Sequence, residues 1–282
     1  MLKDNDWLRS IARLYKGHQP IFLEYRVDMK PRWTEPRGNP YLADVIGASD
    51  AKYRENLEFL RDLTPVVRAI EAGETEIEDI NWRNGYIPAL DALTIMWAAL
   101  GARRTFLEIG SGNSTRFARA ALKHHSSSVR IVSIDPEPRV EIDRLCDEVI
   151  RGKLEDVDLA LFDQLDDGDV MFVDSSHRSF MNSDVTATML EILPRLKPGV
   201  LVGFHDICLP FDYPERWKKR AFNEQYLLGC YLLANPTYLD VQFANYWISR
   251  NEMHVNPLSD IWLMLGDDVR DRGGSAFWGI KT

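Results

Sequence analysis

Two patterns of apolar and polar positions divide the chain. In the second, longer part, short runs of β-branched and other apolar residues alternate with helical patterns and turns. The apolar runs predict strands at Thr105–Ile109, Arg130–Ile134, Glu148–Ile150, Val170–Val173, Val200–Phe204, Leu239–Phe243 and Ala276–Ile280. The helical periodicity predicts helices at Pro88–Leu100, Ser114–Lys123, Asp184–Leu196 and Glu215–Leu233. Strands that alternate with helices form βαβ units, so we predict an α/β fold with a doubly wound, mostly parallel sheet of seven strands.

The first part of the chain has no strand pattern of its own. Helical periodicity at Asp4–Tyr15 and Ala51–Ala72 flanks a stretch rich in proline and glycine. We therefore predict a helical extension or lid over residues 1–81 and an α/β domain over residues 82–282. The apolar stripe of the first helix packs either on its own domain or on a second copy of the chain in a homo-oligomer.

Composition narrows the class of protein. Of the 282 residues, 45% are hydrophobic and 27% are charged, which is typical of a folded chain with a large core. The 34 basic and 43 acidic residues give a net charge of −9. Because an acidic chain repels phosphate backbones, we do not expect nucleic acid as a partner.

The sequence predicts neither a membrane span nor a secretory signal. The most apolar stretch, Ala89–Ala102, contains Asp91 and is shorter than the roughly 20 residues that a membrane span needs. The charged residues at the amino terminus do not resemble a signal peptide. We therefore expect a cytoplasmic protein without a membrane partner, and its cysteines, Cys146, Cys208 and Cys230, as reduced, buried thiols.

A glycine-rich turn carries the strongest chemical signal. Strand Thr105–Ile109 runs into Gly110-Ser111-Gly112 and then into a helix. Glycines allow close approach of a ligand, and the helix amino terminus offers unpaired N–H groups, so the turn predicts a nucleotide-type cradle. The next predicted strand ends at Asp135, where a carboxylate can accept hydrogen bonds from both hydroxyls of a ribose. The third glycine of the dinucleotide fingerprint is replaced by Thr115.

Several motifs share this order along the chain. They are Glu108-x-Gly-x-Gly-Asn-Ser-Thr115, Ile134-Asp135-Pro136, Asp169-Val-Met-Phe-Val-Asp174-Ser-Ser-His177, and Leu196-Lys-Pro-Gly199 leading to His205-Asp206. Together they resemble the class I S-adenosylmethionine-dependent methyltransferases, over about residues 82–282. The likeness is strongest to the small-molecule branch that includes catechol-type and macrocin-type O-methyltransferases. It implies a Rossmann-like methyltransferase sheet and methyl transfer to a small acceptor, most simply at a hydroxyl.

The resemblance also implies a binding site for S-adenosylmethionine. The turn would surround its methionine part, Asp135 its ribose, and the region after the third strand its adenine. The implied cofactor-binding residues are Glu108, Gly110, Ser111, Gly112, Asn113, Ser114, Asp135, Lys153, Leu154 and Asp174. Two alternatives stay open, an oxidoreductase that binds NAD in the same cleft and a non-catalytic protein that binds the cofactor or a nucleoside.

Four polar residues follow two of the predicted strands. Asp174 and His177 come after one strand, and His205 and Asp206 come after the next. If these strands are neighbours, as the resemblance implies, all four side chains meet at the carboxyl edge of the sheet. A hydroxyl acceptor must lose its proton during methyl transfer, so His205 or His177 is the candidate general base, oriented by Asp206 or Asp174.

A bound Mg²⁺ is the rival to a histidine base. In the catechol-type relatives such an ion lowers the pKa of the acceptor hydroxyl, and here its ligands would be Asp174, His205 and Asp206. Magnesium prefers oxygen ligands, and a histidine stands where those relatives have an acid. A metal-free histidine and carboxylate base is therefore favoured over the metal, with simple alignment of the reactants as a third possibility.

Candidate acceptor-binding residues lie outside these motifs. Tyr86 and Tyr213 occupy turns near the predicted cleft, and Trp217 shares one face of a predicted helix with Glu224. A carboxylate on an apolar helix face needs a partner or a polar cavity. Glu224 is therefore either part of a structural ion pair, for example with an arginine, or an acceptor-site residue.

Overall fold

The computed structural model describes residues 21, 23–138 and 140–282. Residues 1–30 and 31–282 are two separate compact units. In the first unit, residues 23–30 are neither helix nor strand. The helix predicted at Asp4–Tyr15, with its apolar stripe, lies outside the described residues. Everything below concerns the second unit.

A seven-stranded sheet forms the centre of this unit. The strands are β1 (Thr105–Ile109), β2 (Arg130–Ile134), β3 (Glu148–Ile150), β4 (Val170–Val173), β5 (Leu201–Phe204), β6 (Leu239–Ala244) and β7 (Phe277–Lys281). Their spatial order is β3-β2-β1-β4-β5-β7-β6, with β7 antiparallel to both neighbours and the other pairs parallel. The predicted fold, a Rossmann-like methyltransferase sheet with helices around it, is confirmed.

The register brings the carboxyl ends of the central strands side by side. Ile109 pairs with Ile134 and Val173, and Val173 pairs with Phe204. The ladder continues one residue further, because Asp174 N–H donates to Ile109 at 2.8 Å and His205 N–H donates to Val173 at 2.9 Å. The residues that follow β1, β4 and β5 are therefore held at one edge of the sheet.

Helices cover the sheet and precede it. They are α1 (Pro40–Gly47), α2 (Asp50–Phe59), α3 (Thr64–Glu71), α4 (Ala89–Gly101), α5 (Asn113–His124), α6 (Asp184–Ala187), α7 (Leu193–Arg195), α8 (Glu224–Ala234), α9 (Asn245–Arg250), α10 (Ser259–Leu265) and α11 (Asp267–Arg270). A π-helical segment, Thr188–Ile192, joins α6 to α7. Short 3₁₀ helices occur at Leu60–Leu63, Asp143–Leu145, Leu154–Asp156, Leu159–Gln164 and Glu215–Arg220.

Two of the predicted helices are not continuous α-helices. The segment Ala51–Ala72 contains a 3₁₀ turn at Leu60–Leu63 between α2 and α3. The segment Glu215–Leu233 is a 3₁₀ helix followed by a break at Ala221, whose φ of 52° is left-handed. Since helix α8 begins only at Glu224, Trp217 and Glu224 do not share a helix face. Alanine gives no sequence signal for a left-handed turn.

The helices before the sheet share its hydrophobic core. Ile46 of α1, Leu57 of α2 and Val67 of α3 are fully buried in the same cluster as Phe106 of β1. Helix α1 also contacts α8, and α2 contacts β6. These helices are therefore integral to the packing of the unit, and a role as cover for a site remains a prediction.

The structure also bears on the predictions made for the cysteines and for membrane-spanning helices. All three cysteines are free, but only Cys208 is buried, whereas Cys146 is half-buried and Cys230 on α8 is exposed. The prediction of buried thiols is thus wrong for Cys230. Within the ranges that the structure describes, no helix has the length and apolarity to cross a bilayer.

Candidate functional site

A cavity of about 1440 Å³ opens at the carboxyl edge of the sheet. It is formed by the loops after β1, β2, β4 and β5 together with segments near residues 86, 217 and 272. The sequence-predicted site residues that line it are Tyr86, Gly110, Ser111, Gly112, Asn113, Ser114, Asp135, Lys153, Leu154, Asp174, His177, His205, Asp206 and Trp217. Three others lie outside its lining, namely Glu108, Tyr213 and Glu224.

The two glycines of the turn after β1 have different surroundings. The protein backbone packs closely against Gly110, whereas Gly112 borders open space. Gly110 has a φ of 78°, and a Cβ at this position would overlap the carbonyl oxygen of Asp174. The protein itself therefore requires glycine there. At Gly112 the backbone is extended, and a Cβ would find only Val140 Cγ2 within 4 Å, at 3.9 Å. Gly112 lines the cavity, and the packing of the protein itself does not require glycine at this position.

Asp135 ties the turn to the end of β2. One of its carboxylate oxygens accepts the Ser111 N–H at 2.8 Å, and the other accepts the Glu137 N–H at 2.8 Å. The Ser111 hydroxyl also lies 2.5 Å from the Ser133 hydroxyl. Each carboxylate oxygen keeps a second lone pair, so Asp135 can accept further hydrogen bonds from a ligand in the cavity.

Glu108 supports the turn from below. Its side chain is fully buried, and one carboxyl oxygen receives a hydrogen bond from the Thr115 hydroxyl. That hydroxyl in turn accepts the Gly112 N–H at 3.1 Å. Burial raises the pKa of Glu108 to about 8, so the carboxyl is largely protonated at neutral pH. The residue that replaces the third glycine of the fingerprint therefore links the buried acid to the turn.

The four polar residues after β4 and β5 meet as predicted. His177 Nε2 lies 3.3 Å from Asp174 Oδ1 and 3.6 Å from Asp206 Oδ2. His205 Nδ1 lies 3.4 Å from Asp174 Oδ1 and 3.6 Å from Asp206 Oδ1. Both imidazoles are buried, and all four residues line the cavity. The cluster is thus a compact set of two cations and two anions beside the glycine turn.

A fifth residue, Asp91 of α4, holds the far side of His205. Its Oδ2 lies 3.2 Å from His205 Nε2, and both side chains are buried. The Asp91 carboxylate also accepts the N–H groups of Ser275 and Ala276 at 2.8 Å and the side-chain amide of Asn245 at 2.8 Å. The imidazole therefore has a fixed orientation, with Nε2 toward the core and Nδ1 toward the cavity-lining carboxylates.

Glu224 holds the second imidazole in the same way. Its Oε2 lies 2.8 Å from His177 Nδ1, and the Glu224 side chain is fully buried. Of the two readings offered by the sequence, the geometry is that of an ion pair, with a histidine as the partner rather than an arginine. The residue supports His177 from behind the cavity lining.

The charges of the cluster favour protonated imidazoles. Burial lowers the pKa of His177, but hydrogen bonds to Asp174 and Glu224 outweigh burial and raise this pKa to about 10. For His205, the charges of Asp174 and Asp206 likewise overcome burial and raise the pKa well above its ordinary value. The same imidazolium groups hold the pKa of Asp174 well below its usual range despite its burial.

The backbone places two of these side chains at a cost. His177 has a φ of 60° and Asp206 a φ of 55°, both in the left-handed region that non-glycine residues rarely adopt. Each such residue costs about 1–3 kcal/mol and persists only where its surroundings enforce it. Strain of this kind concentrates at functional sites, which supports a chemical role for the cluster.

An aromatic wall closes one side of the cavity. Trp217 and Phe222 line it, with ring centroids 5.9 Å apart. Tyr213 packs behind them, at 5.8 Å from Phe222, and its hydroxyl accepts the Gln225 N–H at 3.3 Å. Tyr213 is therefore part of the support for the wall, whereas the exposed Tyr86 lines the cavity itself.

Comparison with protein families agrees with this geometry. Residues 107–207, from β1 to the end of the β5 loop, match the family model described as a methyltransferase domain. Over this range, the chain is similar to a methyltransferase domain. The matched range includes the glycine turn, Asp135 and the four clustered residues Asp174, His177, His205 and Asp206. It does not include the supporting residues Asp91 and Glu224. No curated protein matches the chain in sequence.

Several solved structures match this chain at low sequence identity and low TM-score. An O-methyltransferase from Bacillus cereus in complex with SAH is 16% identical, with 86% of this chain and 96% of that chain covered and a TM-score of 0.35. Cofactor-bound Rv0187 from MTB is 15% identical, with 88% and 92% covered and a TM-score of 0.40. A 16S rRNA (adenine(1408)-N(1))-methyltransferase variant from Catenulisporales acidiphilia is 13% identical, with 68% and 94% covered and a TM-score of 0.33. The ligands and substrates in these descriptions are those of the solved structures and are not assigned to this chain.

The two carboxylates predicted as metal ligands, Asp174 and Asp206, each lie close to imidazole nitrogens. His177 Nε2 lies within 3.6 Å of carboxylate oxygens of both Asp174 and Asp206, and His205 Nδ1 is equally close to both. In the part of the chain that the structure describes, no group of three histidine, cysteine or acidic side chains has an arrangement that holds a metal ion.

Sequence reasoning missed Asp91 and Phe222 as site residues. Asp91 interrupts the most apolar stretch of the chain, and a carboxylate buried there must have a partner. That requirement was a usable signal, but the partner, 114 residues away, was not readable from the sequence. Phe222 follows the unpredicted break at Ala221 and had no signal at all.

Proposed function

We propose that this chain transfers a methyl group from S-adenosylmethionine to a hydroxyl of a small molecule. The observation that carries the proposal is that one cavity contains both the glycine turn with Asp135 and the cluster around His205. A cofactor cradle and a candidate proton acceptor thus face the same space. This arrangement favours the small-molecule O-methyltransferase branch that the sequence motifs resemble.

The cradle fits the proposed cofactor. The open space beside Gly112 accommodates a ligand against the backbone, and the carboxylate of Asp135 retains lone pairs for the two ribose hydroxyls. Lys153 and Leu154 line the cavity beyond β3, where the adenine is expected. S-adenosylmethionine supplies an activated methyl group on a sulfonium, so the protein needs only to align the acceptor and remove its proton.

His205 is the proposed general base. With Nε2 held by Asp91, its Nδ1 is the atom that faces the cavity-lining carboxylates. In its neutral form, Nδ1 would accept the proton of the acceptor hydroxyl as the new oxygen–carbon bond forms. Asp91 would stabilise the imidazolium that results, so the orienting carboxylate is Asp91 rather than Asp174 or Asp206.

His177 has a different proposed role. Held by Glu224, its imidazolium neutralises Asp174 and Asp206 and keeps both carboxylates in place. This leaves the oxygens of Asp206 available to position the acceptor near His205 Nδ1. His177 is thus a positioning residue in this scheme.

The burial of the cluster favours a small acceptor. His205 is only 3% exposed, and its reacting atom is reached only through the cavity. An acceptor group must therefore enter a concave site, as small molecules do. The net charge of −9 further disfavours a nucleic-acid backbone as the partner.

The first test is calorimetric titration of the purified chain with S-adenosylmethionine, S-adenosylhomocysteine and NAD, each with Mg²⁺ and with EDTA. Micromolar binding of the two adenosyl compounds and no binding of NAD is the expected result. Binding of NAD alone, or of none of the three, overturns the proposal.

Turnover then decides between an enzyme and a binding protein. A panel of phenols, sugars and other hydroxyl compounds is incubated with methyl-labelled S-adenosylmethionine, and formation of S-adenosylhomocysteine is measured. We expect turnover with at least one hydroxyl acceptor, abolished in His205→Ala and unaffected by EDTA. Loss of turnover in EDTA would assign the proton step to a metal instead.

A further inference from the structure

Three arginines share the aromatic wall of the cavity. The guanidinium carbon of Arg220 lies 4.7 Å from the centroid of Trp217 and 5.4 Å from that of Phe222. Arg216 lies 5.9 Å from the Trp217 centroid, and Arg178 lies 5.0 Å from the Phe222 centroid. All five side chains line the cavity. Two rings thus collect three positive charges on one wall.

These charges are only partly compensated. The charge of Asp184 acts on Arg178 from beyond ion-pair distance. Arg220 has one carboxylate at ion-pair distance, Asp206 at 3.9 Å, and His177 and His205 share that carboxylate. Arg178 donates to the carbonyl oxygens of Arg220 at 2.8 Å and Ser176 at 2.9 Å. Among the residues that the structure describes, no acidic side chain forms an ion pair with Arg178 or Arg216. The chain as a whole is acidic, yet this wall carries more positive charge than the carboxylates at ion-pair distance neutralise.

The wall is joined to the reacting groups. The ring of Phe222 packs on His177 with 4.6 Å between centroids, and the same ring lies against Arg178 and Arg220. Arg220 also reaches the cavity-lining carboxylate of Asp206. A ligand group held by these arginines would therefore lie within one small molecule's length of His205.

We propose that Arg216 and Arg220, with Arg178 beside them, form a subsite that binds an anionic group of the methyl acceptor. This inference rests on the proposed methyl transfer and adds the class of acceptor, a small hydroxyl compound that carries a carboxylate or a phosphate. Guanidinium groups bind both anions through paired N–H donors. The flat rings beneath them orient the guanidinium planes and offer an apolar surface to the rest of the acceptor.

Arginine at a cavity wall also suits the phosphates of a nucleic acid. The observations favour a small acceptor, because these three charges belong to the lining of one cavity in a chain of net charge −9. A nucleic acid requires a basic surface along its backbone. Short single-stranded RNA is therefore included as a probe in the test.

The experiment measures the binding of simple probes to the chain saturated with S-adenosylhomocysteine. Benzoate and phenyl phosphate are the anionic probes, and benzamide is the neutral match. The test variant is Arg216→Gln with Arg220→Gln. The control is Arg54→Gln with Arg144→Gln, which removes the same charge from two exposed arginines outside the cavity lining. Circular dichroism and affinity for S-adenosylhomocysteine verify that each variant is folded.

We expect at least one anionic probe to bind about 10-fold more tightly than benzamide, and the test variant to lose this preference. The control variant should retain it. Whichever of benzoate and phenyl phosphate binds more tightly identifies the anion. Equal affinities for anionic and neutral probes, an unchanged preference in the test variant, or tighter binding of RNA than of both anions overturns the proposal.

The two proposals fail in different ways. A chain that does not bind S-adenosylhomocysteine contradicts the proposed methyl transfer, whatever the probes do. A chain that binds S-adenosylhomocysteine and methylates only neutral acceptors retains its proposed function and refutes the anionic subsite.

Discussion

Asp91 Oδ2 lies 3.2 Å from Nε2 of His205, and both side chains are buried. The same carboxylate accepts the N–H groups of Ser275 and Ala276, so it joins helix α4 to the segment before β7. One buried acid therefore serves both the packing of the fold and the orientation of the proposed base. These two roles are separable by experiment.

The variant Asp91→Asn should lower both stability and turnover. The amide presents a donor to groups that are themselves donors, and breaking a buried ion pair costs about 3–5 kcal/mol of unfolding free energy. We expect kcat to fall about 100-fold with little change in affinity for S-adenosylhomocysteine, since the cradle is untouched. Urea denaturation, calorimetry and steady-state kinetics measure the three quantities.

Thr94→Val is the matched control for this network. Thr94 accepts hydrogen bonds from Asn245 at 3.0 Å and Trp278 at 3.1 Å but has none with His205. The Thr94→Val variant should be less stable than the wild type, but its turnover should depend on pH in the same way. A similar loss of kcat in both variants would reduce Asp91 to a structural residue.

Turnover should rise with pH if His205 is the base. Its pKa is raised because the charges of Asp174 and Asp206 outweigh burial, so only a small neutral fraction exists at pH 7. Since the neutral form is required, log kcat/KM should increase with pH above neutrality and level off at the raised pKa. His205→Ala should have low, flat activity over the same range. A rate that falls as pH rises would instead indicate a role for the imidazolium.

Stability should fall as pH rises through the alkaline range. His177 has a pKa of about 10 in the fold, above its ordinary value of 6.5, so its stabilising effect is complete below pH 6.5 and lost toward pH 10. Glu108, with a pKa of about 8, adds a similar loss between its ordinary value of 4.5 and pH 8. The thiols of Cys146 and Cys208, whose pKa values burial raises above the ordinary value of 9, add a further loss above pH 9. The contribution of His177 between pH 8 and 10 is therefore isolated by comparison with a variant.

The variant Glu224→Gln tests how much the ion pair between Glu224 and His177 contributes to the loss of stability between pH 8 and 10. The variant removes the carboxylate that lies 2.8 Å from His177 Nδ1, so the decline in unfolding free energy from pH 8 to 10 should become shallower. Glu191→Gln, at an exposed position without an ion pair in the described ranges, should leave the decline unchanged. Equal slopes in the wild type and Glu224→Gln would contradict the assigned charge state of His177.

The sheet was readable from the sequence because its pattern is local. Strands buried on both faces are continuous apolar runs, and β1 to β4 begin and end where the runs do. Helix extents were less readable where a backbone break has no glycine or proline, as at Ala221. That single left-handed residue separates Trp217 from Glu224 and turns Phe222 toward the cavity wall.

The site was predicted as far as sheet topology determines it. Asp174 and His205 follow neighbouring parallel strands, so their proximity is a consequence of the fold. The supports of the cluster, Asp91 and Glu224, reach it from helices elsewhere in the chain, and no local pattern specifies such a contact. Sequence reasoning therefore identified the cavity-lining side chains of the cluster and singled out Glu224, but it did not identify the histidines as the partners of Asp91 and Glu224.

Asp135 offers a direct test of the cofactor cradle. Asp135→Ala should weaken binding of S-adenosylhomocysteine by about 1–3 kcal/mol, because the ribose hydroxyls and the Ser111 N–H lose their acceptor. Asp135→Asn keeps one oxygen acceptor and should have an intermediate affinity. An unchanged dissociation constant in Asp135→Ala would remove this residue from the site.

The two glycines of the turn should respond oppositely to alanine. Gly110→Ala forces a Cβ onto the carbonyl of Asp174 at a left-handed backbone position, so we expect a loss of about 2 kcal/mol or more of unfolding free energy. Gly112→Ala meets no protein atom closer than 3.9 Å, so its loss of stability should be smaller. Its Cβ instead occupies ligand space, and affinity for S-adenosylhomocysteine should fall about 10-fold.

Gly152→Ala completes this comparison. A Cβ at Gly152 meets nothing within 4 Å, and the residue is not part of the lining of the large cavity. It should alter neither stability nor affinity, which separates a general effect of alanine from an effect of position. If Gly112→Ala binds S-adenosylhomocysteine as the wild type does, the ligand does not lie against this turn, and the cofactor must be sought elsewhere in the cavity.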